Sequence, residues 1–264
     1  MQPGSPTHVT SPVDSYRLGS VPYLNARPLV CSAEGVCSYA VPSALAEEFN
    51  AGLFDAALLP AFEAVRRERA TLADGVCIGS NGPVFSVFLA HRGPLDALDS
   101  VALDPASRTS SHLLQIVLND FYHLDPEFSE FPTTADDARL LIGDPAIAFR
   151  IEHARDGWQF LDLGAAWKTH TGMPFVFAVW MIDPAVANPG ALADYLRRMK
   201  ETGLQSRESI AAQDNDPAFA LKYLTENIMF DLDESGKASL RLYASLLRKS
   251  GLVPASPENS LDFV

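Results

Sequence analysis

Tyr16-Arg17-Leu18-Gly19-Ser20-Val21-Pro22-Tyr23-Leu24-Asn25 runs from a short strand-like stretch into a proline-broken loop, and the chain through Leu29 then turns helical. A strand ending this way at the first crossover of an α/β sheet places the loop's side chains at its carboxyl end. Open α/β sheets bind ligands there. Residues 20–29 are therefore expected to touch a ligand.

Outward from this segment, strand and helix signals alternate. Residues 16–21 read as extended, 24–33 as helical, 38–42 as extended and 44–50 as helical, with Gly52 as the stop. The apolar run 55–60, bounded by turn residues, has the character of a buried parallel strand, and 62–69 of an amphipathic helix. Such alternation builds a βαβ sheet. A strand at 77–80, the turn Asn81-Gly82-Pro83 and a long strand at 84–90 follow, ending at Arg92-Gly93-Pro94. A second block has strands at 101–104, 138–142, 159–163 and 175–182 and helices at 110–122 and 146–152. It closes at a second Pro and Gly cluster, 183–190. The remainder is helical, at 191–200, 218–227 and 240–249. In the last of these Leu240, Tyr243, Leu246 and Leu247 share one face, and Gly251 ends it. These helices are too few to make a domain and are expected to pack back on the first sheet. The result is two α/β lobes, 16–93 with 184–264 and 94–183, after a polar lead-in, 1–15, expected to be disordered. A cleft between two lobes suits a small ligand, with hinge closure as the expected motion.

The chain has 264 residues, 47% of them hydrophobic, which is ample for real cores. Its net charge of −13 opposes a nucleic-acid partner, because phosphate binding relies on clustered Lys and Arg. The same charge repels anions at long range, so an anion site has to be built locally from helix N-termini and particular side chains. Cys31, Cys37 and Cys77 show no C-x-x-C spacing and fit a reducing compartment. The first residues lack the basic start and apolar run of a signal peptide, and no run is apolar enough to span a bilayer. A cytoplasmic protein with no membrane partner is expected. A homodimer is allowed by the sequence without being specified by it.

Asp104-Pro105-Ala106-Ser107-Arg108-Thr109-Ser110-Ser111 joins an apolar strand to a helix and so sets hydroxyls where backbone N–H groups are free. One hydroxyl would suffice for an ordinary N-cap. Here Ser107, Thr109, Ser110 and Ser111 come with Arg108, a donor set suited to a carboxylate. Asp144, at the end of the strand-like Leu140-Leu141-Ile142-Gly143, is either a helix cap or, facing the cleft, an acid or base. Asn25 is a cap or a ligand contact. Ser80, Gly82 and Ser86 flank a turn that brings backbone close to a ligand or is a plain β-turn. Trp180 belongs to an aromatic run that reads as core, though its end lies near the expected hinge. There is no G-x-S-x-G, and the histidines have no metal-ligand spacing. No metal and no cofactor are expected.

The runs Ser20-Val21-Pro22-Tyr23-Leu24-Asn25-Ala26-Arg27-Pro28-Leu29, Ser107-Arg108-Thr109-Ser110, Ile142-Gly143-Asp144 and Thr171-Gly172-Met173-Pro174-Phe175-Val176-Phe177-Ala178-Val179-Trp180 together resemble the chorismate dehydratase family of the futalosine route to menaquinone. The likeness extends over about 16–250. It implies a two-lobed α/β fold of the type 2 periplasmic-binding-protein kind, with a ligand cleft between the lobes, and loss of water from the dicarboxylate chorismate to give 3-[(1-carboxyvinyl)oxy]benzoate. On that resemblance Ser107, Arg108, Thr109 and Ser110 hold a carboxylate, while Asn25 and Ser86 contact the reacting ring or its hydroxyl. Tyr23, Ser80, Gly82 and Trp180 are further substrate contacts. Asp144 is a candidate proton acceptor, as are a substrate carboxylate and a water. A non-catalytic small-carboxylate-binding protein of the same fold is the rival expectation.

Overall fold

In each of two sheets one strand runs against all the others, and that strand is the one by which the chain passes between the halves of the molecule. The computed structural model describes residues 16–33, 37–104, 107–130, 138–253 and 260–264. The lead-in 1–15 lies outside the described residues. The first sheet holds β1 (Leu18–Ser20), β2 (Cys37–Tyr39), β3 (Ala56–Pro60) and β4 (Arg69–Ser80). The second holds β5 (Val87–His91), β6 (Ser100–Ala102), β7 (Glu127–Ser129), β8 (Ala138–Ile142) and β9 (Gln159–Asp162). β10 (Phe175–Ile182) and β11 (Ser260–Phe263) then rejoin the first. The strand orders are β2-β1-β3-β10-β4-β11 and β7-β6-β8-β5-β9, so the two halves repeat one pattern, with β10 and β5 inserted antiparallel at equivalent places.

α1 (Arg27–Val30), α2 (Pro42–Asn50) and α3 (Ala61–Val65) cover the first sheet, and α4 (Arg108–Ile116), α5 (Gly143–Glu152) and α6 (Leu163–Thr171) the second. α7 (Pro189–Gln205), α8 (Arg207–Ala211), α9 (Pro217–Lys222) and α10 (Glu234–Lys249) follow. α7 lies on β4 and α10 on β10 and α3, so the helical C-terminal part does return to the first lobe. On α10 Leu240, Tyr243 and Leu247 are buried together and Leu246 lies at the margin of that face.

Two assignments differ from the sequence expectation. The strand at 84–90 was expected in the first lobe and that at 175–182 in the second, with crossings at 92–95 and 183–190. Pairing reverses this. Phe88 stands opposite Leu141 and Asp162, and Val179 opposite Leu59 and Cys77. The crossings therefore fall at 81–86 and 172–174. Pro and Gly clusters mark where strands end but carry no information about which distant strand is the partner. The helix expected over 62–69 stops at Val65, and β4 begins at Arg69, eight residues before the turn-bounded run suggested. Partners on both sides, β10 and β11, impose the extended form there.

The halves share one apolar junction. Trp167 of α6 meets Phe175 of β10 at 4.9 Å between ring centroids, and its indole N–H donates to Ser239 Oγ of α10 at 3.0 Å. Both rings are fully buried, and truncating such a side chain costs about 3–5 kcal/mol. Gly203 of α7 is a second tight point, since a Cβ there would overlap the Pro28 carbonyl of α1. Backbone cannot yield as a side chain does. Gly203→Ala is expected to cost about 3 kcal/mol, and a thermal melt should show it as a fall in Tm on the order of 6–10 °C.

Candidate functional site

The carboxyl ends of β1, β3, β6 and β8 converge between the sheets and enclose a pocket of about 530 Å³ of atom-free space, its mouth included. Its polar wall is Tyr23, Asn25, Ser107, Thr109 and Ser110, and Leu58, Ile78, Val87, Ile142 and Phe177 give it an apolar floor. Among the described residues no Asp, Glu, His, Lys or Arg lines it.

The hydroxyl cluster sits at the start of α4. Ser107 is the N-cap; its Oγ accepts from the Ser110 N–H at 3.4 Å and lies 2.9 Å from Ser110 Oγ. Thr109 Oγ1 reaches the other lobe and accepts from the Phe62 N–H at 2.9 Å, capping α3. The Tyr243 hydroxyl donates to the Thr109 carbonyl at 3.0 Å, which fixes this turn against α10. Arg108 departs from expectation. Its guanidinium is turned out of the pocket toward Glu63, with Nη1 3.4 Å from Oε1. Successive helical residues point about 100° apart, so Arg108 cannot share a face with both neighbours. Glu63 is 1% exposed and held by Arg66 at 2.6 Å as well, and a carboxylate so buried needs cations. Ser111 donates to the Asp104 carbonyl, and the His112 ring stacks on Phe62 at 4.2 Å between centroids; neither lines the pocket.

Across the pocket, Asn25 lies within the 3₁₀ turn Leu24–Ala26, whose N-cap is Tyr23, so Asn25 is not a cap. The Tyr223 hydroxyl, close to the Asn25 amide, donates to Ser86 Oγ at 2.7 Å. Burial pushes the Tyr223 phenol well up, against the opposing pull of Ser86 and Asn25, so it stays protonated. Ser86 is fully buried behind this wall. Its place is set by Phe85, whose φ of 67° is left-handed, and by Asp162, which accepts from the Val84 and Phe85 N–H groups at 3.0 and 2.8 Å. The Ser86 carbonyl in turn accepts from the Gly143 N–H at 2.8 Å.

Asp144 joins the lobes. It is in the first turn of α5, behind the N-cap Ile142, and its carboxylate accepts from the Leu24 N–H at 3.0 and 3.3 Å. The Tyr23 ring lies over Gly143, where a Cβ would meet it at 3.2 Å and where φ is 64°. Asp144 is not among the residues that line the pocket. Three further expected contacts fall outside this pocket. Ser80 is buried against Gly164, Gly82 lines a separate hollow beside Asn227, and Trp180 is fully buried opposite Leu58 within the sheet. Tyr223 and Asp162 escaped the sequence reading. For Asp162 a signal existed, an Asp one residue before an apolar helix, which it does cap through the Ala165 N–H at 3.0 Å. For Tyr223, one apolar helix residue among many, there was none.

A family model described as "Menaquinone biosynthesis" matches residues 16–249. A curated relative named chorismate dehydratase, from Thermus thermophilus, is 29% identical over 259 residues, which cover 88% of this chain and 95% of that one. Among solved structures, the Candida albicans CA3427 gene product, described as having the generic periplasmic binding protein fold, superposes with a TM-score of 0.61 at 12% identity, covering 92% of each chain. The periplasmic aliphatic sulphonate binding protein SsuA of Escherichia coli gives 0.58 at 17% identity, covering 94% of this chain and 96% of that one. At such identities these structures establish the fold, which is periplasmic-binding-protein-like as expected.

Burial raises the Asp144 carboxyl above its ordinary value, outweighing the Leu24 N–H and Arg27, which favour the charged form. The folded chain then keeps this proton to a higher pH than the unfolded chain, so ionisation weakens the fold as pH rises from about 4 through the folded value, and the penalty persists above it. Asp144→Asn retains an oxygen for Leu24 without the charge. Its Tm should exceed that of the wild type at neutral pH, and the gap should close on acidification toward pH ~4; a gap independent of pH would contradict this assignment.

Proposed function

Because the chain belongs to the menaquinone biosynthesis family, we propose that it is a hydro-lyase that dehydrates chorismate to 3-[(1-carboxyvinyl)oxy]benzoate. The observation that carries the proposal is the two-sided pocket: hydroxyls and a helix N-terminus on one wall, Tyr23 and Asn25 on the other, and an apolar floor suited to a carbocyclic ring. Ser107, Thr109, Ser110 and the free N–H groups that open α4 receive the ring carboxylate. As the C3 proton departs, charge spreads onto that carboxylate, and fixed donors aimed at it stabilise the dienolate-like transition state. Loss of the C4 hydroxyl, placed beside Asn25, then makes the ring aromatic.

Arg108 and Asp144 take changed roles in this scheme. Arg108 balances Glu63 outside the pocket lining and adds only a distant positive charge. Asp144, engaged by Leu24, positions the loop that carries Asn25. The proton acceptor is then a substrate carboxylate or a water, both compatible with a wall that, among the described residues, lacks Asp, Glu, His, Lys and Arg. Tyr23 closes the pocket edge, and Ser80, Gly82 and Trp180 have no substrate contact.

Purified protein incubated with chorismate should yield an aromatic enol-ether acid, seen by ultraviolet absorbance and mass. Tight binding without product would instead support the carboxylate-binding rival. Ser110→Ala removes a donor to a charged group, and KM should rise at least about tenfold. Arg108→Ala should change KM less than about threefold, and the reverse ranking would return Arg108 to the carboxylate site.

A further inference from the structure

The first crossing between the lobes ends in a left-handed kink at Phe85, where φ is 67°. Such a conformation is costly for a bulky residue and persists only where the surroundings over-determine it. Two side chains of the second lobe do so. Asp162 accepts from the Val84, Phe85 and Ala165 N–H groups at 3.0, 2.8 and 3.0 Å. Arg150, in the last turn of α5, engages both the carboxylate and the kink: its Nη1 lies 3.6 Å from Asp162 Oδ2 and donates to the Phe85 carbonyl at 3.4 Å. The same guanidinium lies over the Phe85 ring, 4.3 Å from its centroid, with the rings of Phe88 and Phe160 at 5.6 and 5.4 Å. Only 26% of the Arg150 side chain is exposed.

Directly beyond the kink, the Ser86 carbonyl accepts from the Gly143 N–H at 2.8 Å, and β5 begins with Val87 opposite Ile142. Val87, Ile142 and Gly143 all line the pocket, whereas Arg150 does not. We infer that Arg150 is a positioning residue: by holding Phe85 left-handed it fixes how the start of β5 meets the start of α5, and so places the apolar floor and the Gly143 seat of the Tyr23 ring. α5 is tied to the kink near both of its ends, through Gly143 and through Arg150, so kink and floor move as one body. The consequence for turnover rests on the dehydratase reading. A floor displaced by about 1 Å would tilt the ring away from donors that must meet its carboxylate in the transition state, and a misplacement of that size can cost on the order of a hundredfold.

Arg150→Gln should lower kcat/KM for chorismate at least about tenfold, at a temperature where circular dichroism shows the variant folded. Glycine adopts a positive φ without steric cost. In a Phe85→Gly background the same Arg150→Gln change should therefore cost less than about threefold, although that background has lost a packed ring. A residue that only stabilised the fold would show no such relief. Phe85→Val keeps Arg150 but is β-branched, which disfavours the left-handed form, and it should be at least about tenfold less active than Phe85→Gly. An equal loss from Arg150→Gln in both backgrounds, or Phe85→Val as active as Phe85→Gly, would each overturn the inference. An arm without substrate follows the Gly143 amide proton by hydrogen exchange in ¹⁵N-labelled protein. Its exchange should quicken at least about tenfold in Arg150→Gln and return to within about threefold of the wild-type rate when Phe85→Gly is added. An unchanged rate in Arg150→Gln overturns the positioning role whatever the substrate, whereas the expected exchange pattern in a protein that leaves chorismate unchanged would sink the dehydratase reading alone.

Discussion

The first N–H groups of a helix have no partner within it, and in this fold several such helix starts meet in one buried place. Two of them are satisfied from the opposite lobe. Asp144, of the second lobe, takes the Leu24 N–H, and Thr109, also of the second, takes the Phe62 N–H. Both recipients lie in the first lobe, just beyond the carboxyl ends of β1 and β3. The same bonds that hold the lobes together therefore define the distance between the two walls of the pocket. The left-handed Phe85 and Gly143 are accommodated on this account: the first is clamped by Asp162, and the second lets the Tyr23 ring approach.

The electrostatics follow from the same arrangement. With a net charge of −13, the protein's overall field would give nothing to the binding of the dianion proposed as substrate. The attraction has to come from short-range donors in a site of low polarity, where each is stronger than in water. Placing Arg108 on Glu63 keeps a full positive charge outside the pocket and leaves oriented dipoles inside. In the proposed reaction such dipoles would favour a transition state with charge delocalised onto the ring carboxylate, without fixing the ground state too tightly.

Much of the site was visible in the order of residues, because its parts obey local rules. The proline-broken loop after β1 carries Asn25 to the pocket, and the excess of hydroxyls at 107–110 lies on the opposite wall. The amphipathic face of α10 needed only its own spacing. Arg108 was misplaced because its partner, Glu63, reads from sequence as one more polar residue on an amphipathic helix. Ser80, Gly82 and Trp180 were misplaced with the hinge: once β5 and β10 exchange lobes, the residues around the crossings face the core or a separate hollow.

What the sequence by itself determined is the βαβ alternation, the presence of two lobes, and the loop and hydroxyl cluster that end up in the pocket, all set by hydrophobic periodicity and turn chemistry within a few neighbouring residues. Only the tertiary structure decided that β5 and β10 swap sheets, that Asp144 reaches Leu24 across 120 positions of chain, and that Tyr223 reaches Ser86 across 137. These are pairings between distant segments. Each is chosen by the need to satisfy a buried polar group or a sheet edge once the core has formed, and no local pattern carries that information.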